Sequence, residues 1–339
     1  MELTMRLRSI KLCSGLVIIL MFGCASEPER ASFNDPLYNG KPVDTLSSEA
    51  PPLNEKEAIM RGDTALQSNN TDLALYEYLR SLEFPEAKYQ DKTLYNIGRI
   101  HQTKGNYSLA EQAYLLAVKA NPNNEQVLEQ LGSIYLKSGK VDQAKSYFYR
   151  AINADQIRLK SGKSIDIQSS SIVAKVADLS VDTASPSEAY MGIGILYDVD
   201  GKHGLAQSFY AKALDITPNS VNALINTGYS YYMSGNYQQA QRFMVSALEE
   251  DANNEKAQNN LALIYLAKGQ VKRAINVFTK QVGAAEALNN VGYFLILQGK
   301  PEEAIPYLQQ AIDKNPSYYK VANENLERAL SEVRSQATP

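Results

Sequence analysis

A pattern of small and bulky residues recurs along most of this chain, and it restricts the fold more than any other feature. Small residues stand at Gly62, Gly98, Gly132, Gly194, Gly228, Ala262 and Gly292, with a spacing of 34 that recurs between neighbours. Twelve residues after each comes alanine without exception: Ala74, Ala110, Ala144, Ala206, Ala240, Ala274 and Ala304. Four further on stands a bulky residue: Tyr78, Tyr114, Phe148, Tyr210, Met244, Phe278 and Leu308. Glycine separates the two halves of most units, at Gly105, Gly139, Gly201, Gly235, Gly269 and Gly299, and Pro122, Pro218 and Pro316 close three of them. Small side chains let two helices cross closely while the bulky residue fills the space beside them. Glycine ends a helix because it tolerates left-handed geometry, and proline prevents the second helix from continuing. One such pair has too little apolar surface to be stable alone and must stack on its neighbours.

A helix-turn-helix unit repeating every 34 residues resembles the tetratricopeptide repeat (TPR), which implies an all-α solenoid. Seven units are expected, three over residues 55–158 and four over 187–318, followed by an amphipathic capping helix over 319–335 that presents Leu326, Ala329, Leu330 and Val333. Residues 159–186 interrupt the register. They are expected to form a partly disordered surface excursion that divides the array into two arms. Their Ser161-Gly162-Lys163-Ser164 imitates the end of a phosphate loop, but Ile157 stands where that motif needs glycine. The sixth unit is four residues short, and its second helix is expected to lose about one turn.

The first residues read as an address. Arg6, Arg8 and Lys11 precede the apolar run Leu12 to Gly23, too short to cross a membrane. Leu20-Met21-Phe22-Gly23-Cys24 resembles a bacterial lipobox, which implies that 1–23 is a signal peptide and that Cys24 is acylated and becomes the first mature residue. The other cysteine, Cys13, lies in that leader, so Cys24 has no intramolecular disulfide partner. By the same resemblance, Ala25 after the cysteine favours the outer membrane, on its periplasmic side. Residues 24–54, rich in Pro, Ser, Glu and Asn, are expected to be a disordered tether with a span of roughly 30 Å.

Charge and composition restrict function. Thirty-four basic against 37 acidic residues leave no cationic excess for nucleic acid. With two histidines, two cysteines and no Gly-x-Ser-x-Gly or His-Glu-x-x-His motif, no catalytic residue, metal site, cofactor or small-molecule substrate is expected beyond the covalent lipid. His101 occupies a slot filled by tyrosine in later units and reads as a packing residue, and His203 reads as a solvated turn residue.

The family resemblance implies that the first helix of each unit lines a concave face through its positions two, five, six, nine and twelve. Position six reads Asn96, Asn226, Asn260 and Asn290, and an amide with two donors and an acceptor can grip a peptide backbone. Tyr229, Tyr232, Lys256 and Tyr293 lie around this column and complete the candidate groove, with tyrosine suited to interfaces by its rigid ring and polar tip. Two roles remain open for the column, ligand contact and hydrogen bonding between helices. The lipobox, the repeats and the run Ala287-Leu288-Asn289-Asn290-Val291-Gly292-Tyr293 together resemble the TPR lipoproteins of cell-envelope machines, in particular the TadD family of tight-adherence (Tad/Flp) pilus assembly. That resemblance implies a pilotin-like scaffold whose partner is the secretin or another pilus subunit. An adaptor for peptidoglycan hydrolases or proteases, or a component of outer-membrane protein assembly, is the alternative.

Overall fold

A computed structural model describes residues 35–46, 50–166, 172–315, 317 and 319–337. The leader, Cys24 and the start of the tether lie outside the described residues. Among those residues the structure is helical, without strands. The helices pair as α1 (Glu55–Gln67) with α2 (Thr71–Leu82), α3 (Gln90–Thr103) with α4 (Tyr107–Ala120), and α5 (Glu125–Lys137) with α6 (Val141–Arg158). The short α7 (Ile172–Asp178) follows, and then α8 (Ser187–Val199) pairs with α9 (His203–Ile216), and α10 (Val221–Met233) with α11 (Tyr237–Glu250). The last pairs are α12 (Glu255–Ala267) with α13 (Val271–Val282) and α14 (Ala284–Leu297) with α15 (Pro301–Lys314), closed by α16 (Lys320–Ala337). Each helix packs on its pair partner and on the next pair, the pattern of a TPR solenoid.

The small and bulky positions meet as their spacing predicts. A methyl group on Gly98 would lie 2.4 Å from the Tyr114 ring, and one on Gly194 would lie 2.4 Å from that of Tyr210. Both rings are buried. Helix starts are capped by side chains in the linkers: Asn54, Asn124 and Asn254 each accept a hydrogen bond from the amide three residues on, a device worth about 1 kcal/mol apiece. In the first unit the turn between helices has no glycine, and Asn69 takes the left-handed conformation there with φ of 58°.

Three sequence expectations need correction. Residues 35–46 are not part of a structureless tether. Leu37 is buried and its carbonyl accepts a hydrogen bond from His101 Nε2 at 2.7 Å, while the Tyr38 ring meets Tyr76 edge-on. Leu37 and His101 are 64 residues apart, a distance over which local pattern carries no information.

The insertion does not divide the array. Its ordered part folds back on α6, which runs to 18 residues and carries the polar anchors for it. Asn153 exchanges two hydrogen bonds with the backbone of Ile165, Gln156 does the same with Ser180, and Arg158 grips Asp182 with two. Ile165, Val176 and Leu179 are buried beneath this strap. Lys163 of the phosphate-loop look-alike donates to the Asp178 carbonyl, and a helix rather than a strand precedes it. Meanwhile α8 packs directly on α5 and α6. The Phe148 ring is held between Gly132 and Gly192, where methyl groups would sit 2.4 and 2.3 Å from it. The third and fourth units therefore share one continuous core.

In the sixth unit, α13 has 12 residues against 14 in α11, so the helix loses half a turn rather than a whole one. The rest of the deficit falls in the linker, reduced to Gly283 at φ 84°.

Candidate functional site

Position six of each first helix faces the cleft toward the neighbouring first helix. Asn96 lines an open pocket of about 280 Å³ between α1 and α3 with Met60, Tyr89 and Lys92. Asn226 lines another, of about 380 Å³, between α8 and α10 with Ile195, Val199, Tyr229 and Met233. Asn260 and Asn290 hold the equivalent half-buried places on α12 and α14. The four asparagines differ in their partners. Asn96 hydrogen-bonds the Tyr78 hydroxyl, whereas the amides of Asn226, Asn260 and Asn290 have no hydrogen-bond partner among the described residues. A half-buried amide without a partner loses hydration without compensation, so these three retain full capacity for a polar ligand.

The column breaks at the fourth unit for a steric reason. Gly192 stands at position six there, and the Phe148 ring occupies the space that a side chain would need. At the other end Asn289, at position five, is buried and accepts a hydrogen bond from Asn325 of α16 at 2.9 Å, so the cap has taken it.

The flanking residues divide between packing and exposure. Tyr229 and Tyr293 expose 42% and 36% of their surface, and Lys256 is exposed. Tyr232 is half-buried against Tyr229 and Tyr237, and burial raises its pKa above the ordinary tyrosine value. It belongs to the core of its unit as much as to the face.

A polar knot beneath the α8–α10 pocket is absent from any reading of the repeats. The Asp198 carboxylate accepts from His203 Nδ1 at 2.9 Å, Ser230 Oγ at 2.7 Å and the Tyr210 hydroxyl at 2.9 Å. Burial, then the Asp198 charge, drives the Tyr210 pKa upward, so the phenol stays a donor. His203 is therefore a half-buried bridge between α8 and α9, not the solvated turn residue expected. His101 is fully buried, in line with its reading as a packing residue. Its Nε2–H is committed to Leu37, and its Nδ1 has no partner. Desolvation lowers its pKa, which keeps the ring neutral.

Sequence reasoning also missed Glu129. Its carboxylate, on α5, accepts from the Ala189 amide at 3.0 Å and so caps the first turn of α8 across the third and fourth units. Burial, assisted by the charges of Glu188 and Glu125, pushes its pKa up to about 7. No spacing rule marks it, because the insertion between the two units hides the contact. The exposed apolar residues Val199 and Met233 had a visible signal, since both stand at position thirteen of their units.

Family models described as tetratricopeptide repeat match residues 91–124, 125–157, 187–220, 209–242, 231–285 and 285–318. The chain is 31% identical over 105 residues to a photosystem I assembly protein Ycf3 of Prochlorococcus marinus, covering 28% of this chain and 61% of that one. It is 37% identical over 87 residues to an uncharacterized protein ycf37 of Pyropia yezoensis, covering 26% and 42%. The match thus spans less than two thirds of either relative. Among solved structures, a tetratricopeptide repeat protein of Parabacteroides merdae has 20% identity and a TM-score of 0.49, over 81% of this chain and 98% of that one. Pseudomonas aeruginosa pilF has 15% identity and a TM-score of 0.49, over 67% and 91%. Repeat matches covering more than half of its length, on an all-helical array of paired helices, place this chain in the tetratricopeptide-repeat family, whose fold typically serves as a non-catalytic scaffold for protein–protein interaction.

Proposed function

We propose that this chain is an outer-membrane lipoprotein, anchored on the periplasmic side through acylated Cys24, that captures a subunit of a Tad/Flp pilus system on its first helices and assists secretin assembly or placement. The observation that carries the capture is the row of Asn226, Asn260 and Asn290, three half-buried amides without partners among the described residues. They would bind the polar groups of a partner segment, with the tyrosines and Lys256 around them. No bond is made or broken in this role, and the lipid supplies location only.

Docking of residues 35–46 alters the geometry of the anchor. Eleven residues separate Cys24 from Asp35, a reach of at most about 40 Å when fully extended. The first two units would be held within that distance of the lipid surface. Acyl chains at about 0.8 kcal/mol per buried CH₂ make such an anchor effectively permanent.

Crosslinking of the tagged full chain in its own envelope, followed by mass spectrometry, tests the reading. Recovery of a secretin with pilus subunits supports it. Recovery of peptidoglycan hydrolases, proteases or outer-membrane assembly factors in their place would overturn it in favour of an adaptor role.

A further inference from the structure

We propose that the first helices of units four to seven carry an apolar ribbon that docks a single amphipathic α-helix of about 20 residues, laid across the units with its apolar residues at heptad spacing. This rests on the scaffold reading above and names the chemistry of the partner segment.

The ribbon is formed by positions nine and thirteen, which lie one turn apart on the same side of a helix. In units four to seven they read Ile195/Val199, Tyr229/Met233, Leu263/Ala267 and Tyr293/Leu297. In units one to three the same positions read Asp63/Gln67, Arg99/Thr103 and Ser133/Lys137. The apolar set is accessible: Val199 is 80% exposed, Leu297 53% and Met233 48%. One exposed apolar residue is ordinary, but eight in register along one half of the array form a contiguous patch. The 380 Å³ pocket lies on this line, walled by Ile195, Val199, Tyr229 and Met233, and is large enough for a leucine or phenylalanine side chain.

Charge selects the partner. None of the eight ribbon residues is charged, and the nearby Asp198 carboxylate is already held by three donors. A charged segment laid here would lose hydration and gain no counter-ion, whereas an uncharged apolar stripe loses nothing.

Spacing selects a helix over an extended peptide. The helices α8, α10, α12 and α14 touch one another in sequence, and packed helices lie about 8–10 Å apart. At 1.5 Å per residue a partner helix covers each step in about six or seven residues and returns the same face to the next contact. An extended chain covers it in about three residues, and its alternating side chains would turn successive contacts to opposite faces. Three steps span roughly 24–30 Å, or about 16–20 helical residues. Asn226, Asn260 and Asn290 lie beside the ribbon, where they meet the polar flank of such a helix.

The test uses the full chain and a fluorescein-labelled synthetic helix of about 21 residues, uncharged, with leucine at heptad positions a and d and Gln, Ala and Ser elsewhere. Anisotropy at nanomolar probe should show saturable binding that weakens roughly tenfold or more in Met233→Ser and in Leu297→Ser, and equally for a scrambled probe of the same composition. Both substitutions are on exposed residues, and circular dichroism of each variant checks that the fold is retained. Equal affinity for the scrambled probe, or no change in either variant, overturns the proposal. In the envelope, a photocrosslinking residue at Met233 should join a heptad-patterned segment of the partner. Crosslinks to an extended or charged segment, or to a second copy of this chain, overturn it. A pilus subunit crosslinked through an extended segment would leave the scaffold reading standing, while heptad binding with a hydrolase as partner would remove only the pilus.

Discussion

Substitution of Gly192 by alanine tests whether the two halves of the array share one core. The new methyl group would lie 2.3 Å from Cε2 and 2.5 Å from Cζ of Phe148. The ring has no retreat, because on its other side a methyl group on Gly132 would lie only 2.4 Å from Cδ1. Overpacking of this kind costs about 1–3 kcal/mol, and the better helix propensity of alanine returns up to about 1 kcal/mol. A net loss of about 1–2 kcal/mol is expected in urea denaturation followed by circular dichroism. Since the clash lies at the junction of units three and four, the transition should also broaden or split as the two halves lose their coupling. Phe148→Leu in the same chain should recover much of the loss, in the manner of a double-mutant cycle. Gly204→Ala is the control, because a methyl there meets nothing within 4 Å, and it should be neutral or stabilising. If Gly192→Ala is as stable as Gly204→Ala, the ring is not confined and the continuous core across the insertion is refuted.

Replacing Asn226, Asn260 and Asn290 together by alanine should weaken partner capture at least severalfold in the envelope crosslink while leaving helicity intact, and unchanged capture would assign the column to packing. Glu129→Gln keeps an acceptor for the Ala189 amide but removes the titration. The folded pKa of Glu129 lies above its ordinary 4.5, so the wild-type fold holds the proton more tightly and loses stability as pH rises from about 4.5 to about 7; the variant should lose that slope in denaturation at a series of pH values. His101 has the opposite sign, because its folded pKa is lowered. The contact with Leu37 is fully favourable above the ordinary histidine value and weakens as pH falls below it, so hydrogen exchange at residues 35–46 should be faster at pH 5 than at pH 8. Cys24→Ser should move the protein from the outer-membrane to the soluble fraction, and retention in the membrane would exclude lipid anchoring.

Much of the candidate face is legible because it is periodic. Asn96, Asn226, Asn260 and Asn290 are found by counting within each unit, and all four lie on the clefts between first helices. Counting cannot tell them apart. Asn96 is bonded to Tyr78 while the later three are free of internal partners among the described residues, a difference set by side chains of other helices. The absence of asparagine from unit four resembles simple drift and is a consequence of the Phe148 ring, which arrives from the preceding unit. The role of His203 is hidden for the same reason, since the turn glycines beside it give no hint that Asp198 and Ser230 close around it.

Local and nearest-neighbour physics is therefore determined by the chain's own pattern: helix pairs, their small-against-bulky crossings, their glycine and asparagine punctuation, and stacking into a solenoid. These interactions repeat at one spacing, so a one-dimensional reading captures them. The tertiary structure alone decides the contacts that do not repeat. Leu37 reaches His101 across 64 residues, Glu129 caps α8 across 60, and the insertion folds under Arg158 and Gln156 so that α8 can rest on α5 and α6. Such contacts depend on which surfaces remain after the repeats have stacked, and that remainder exists only once the array is built.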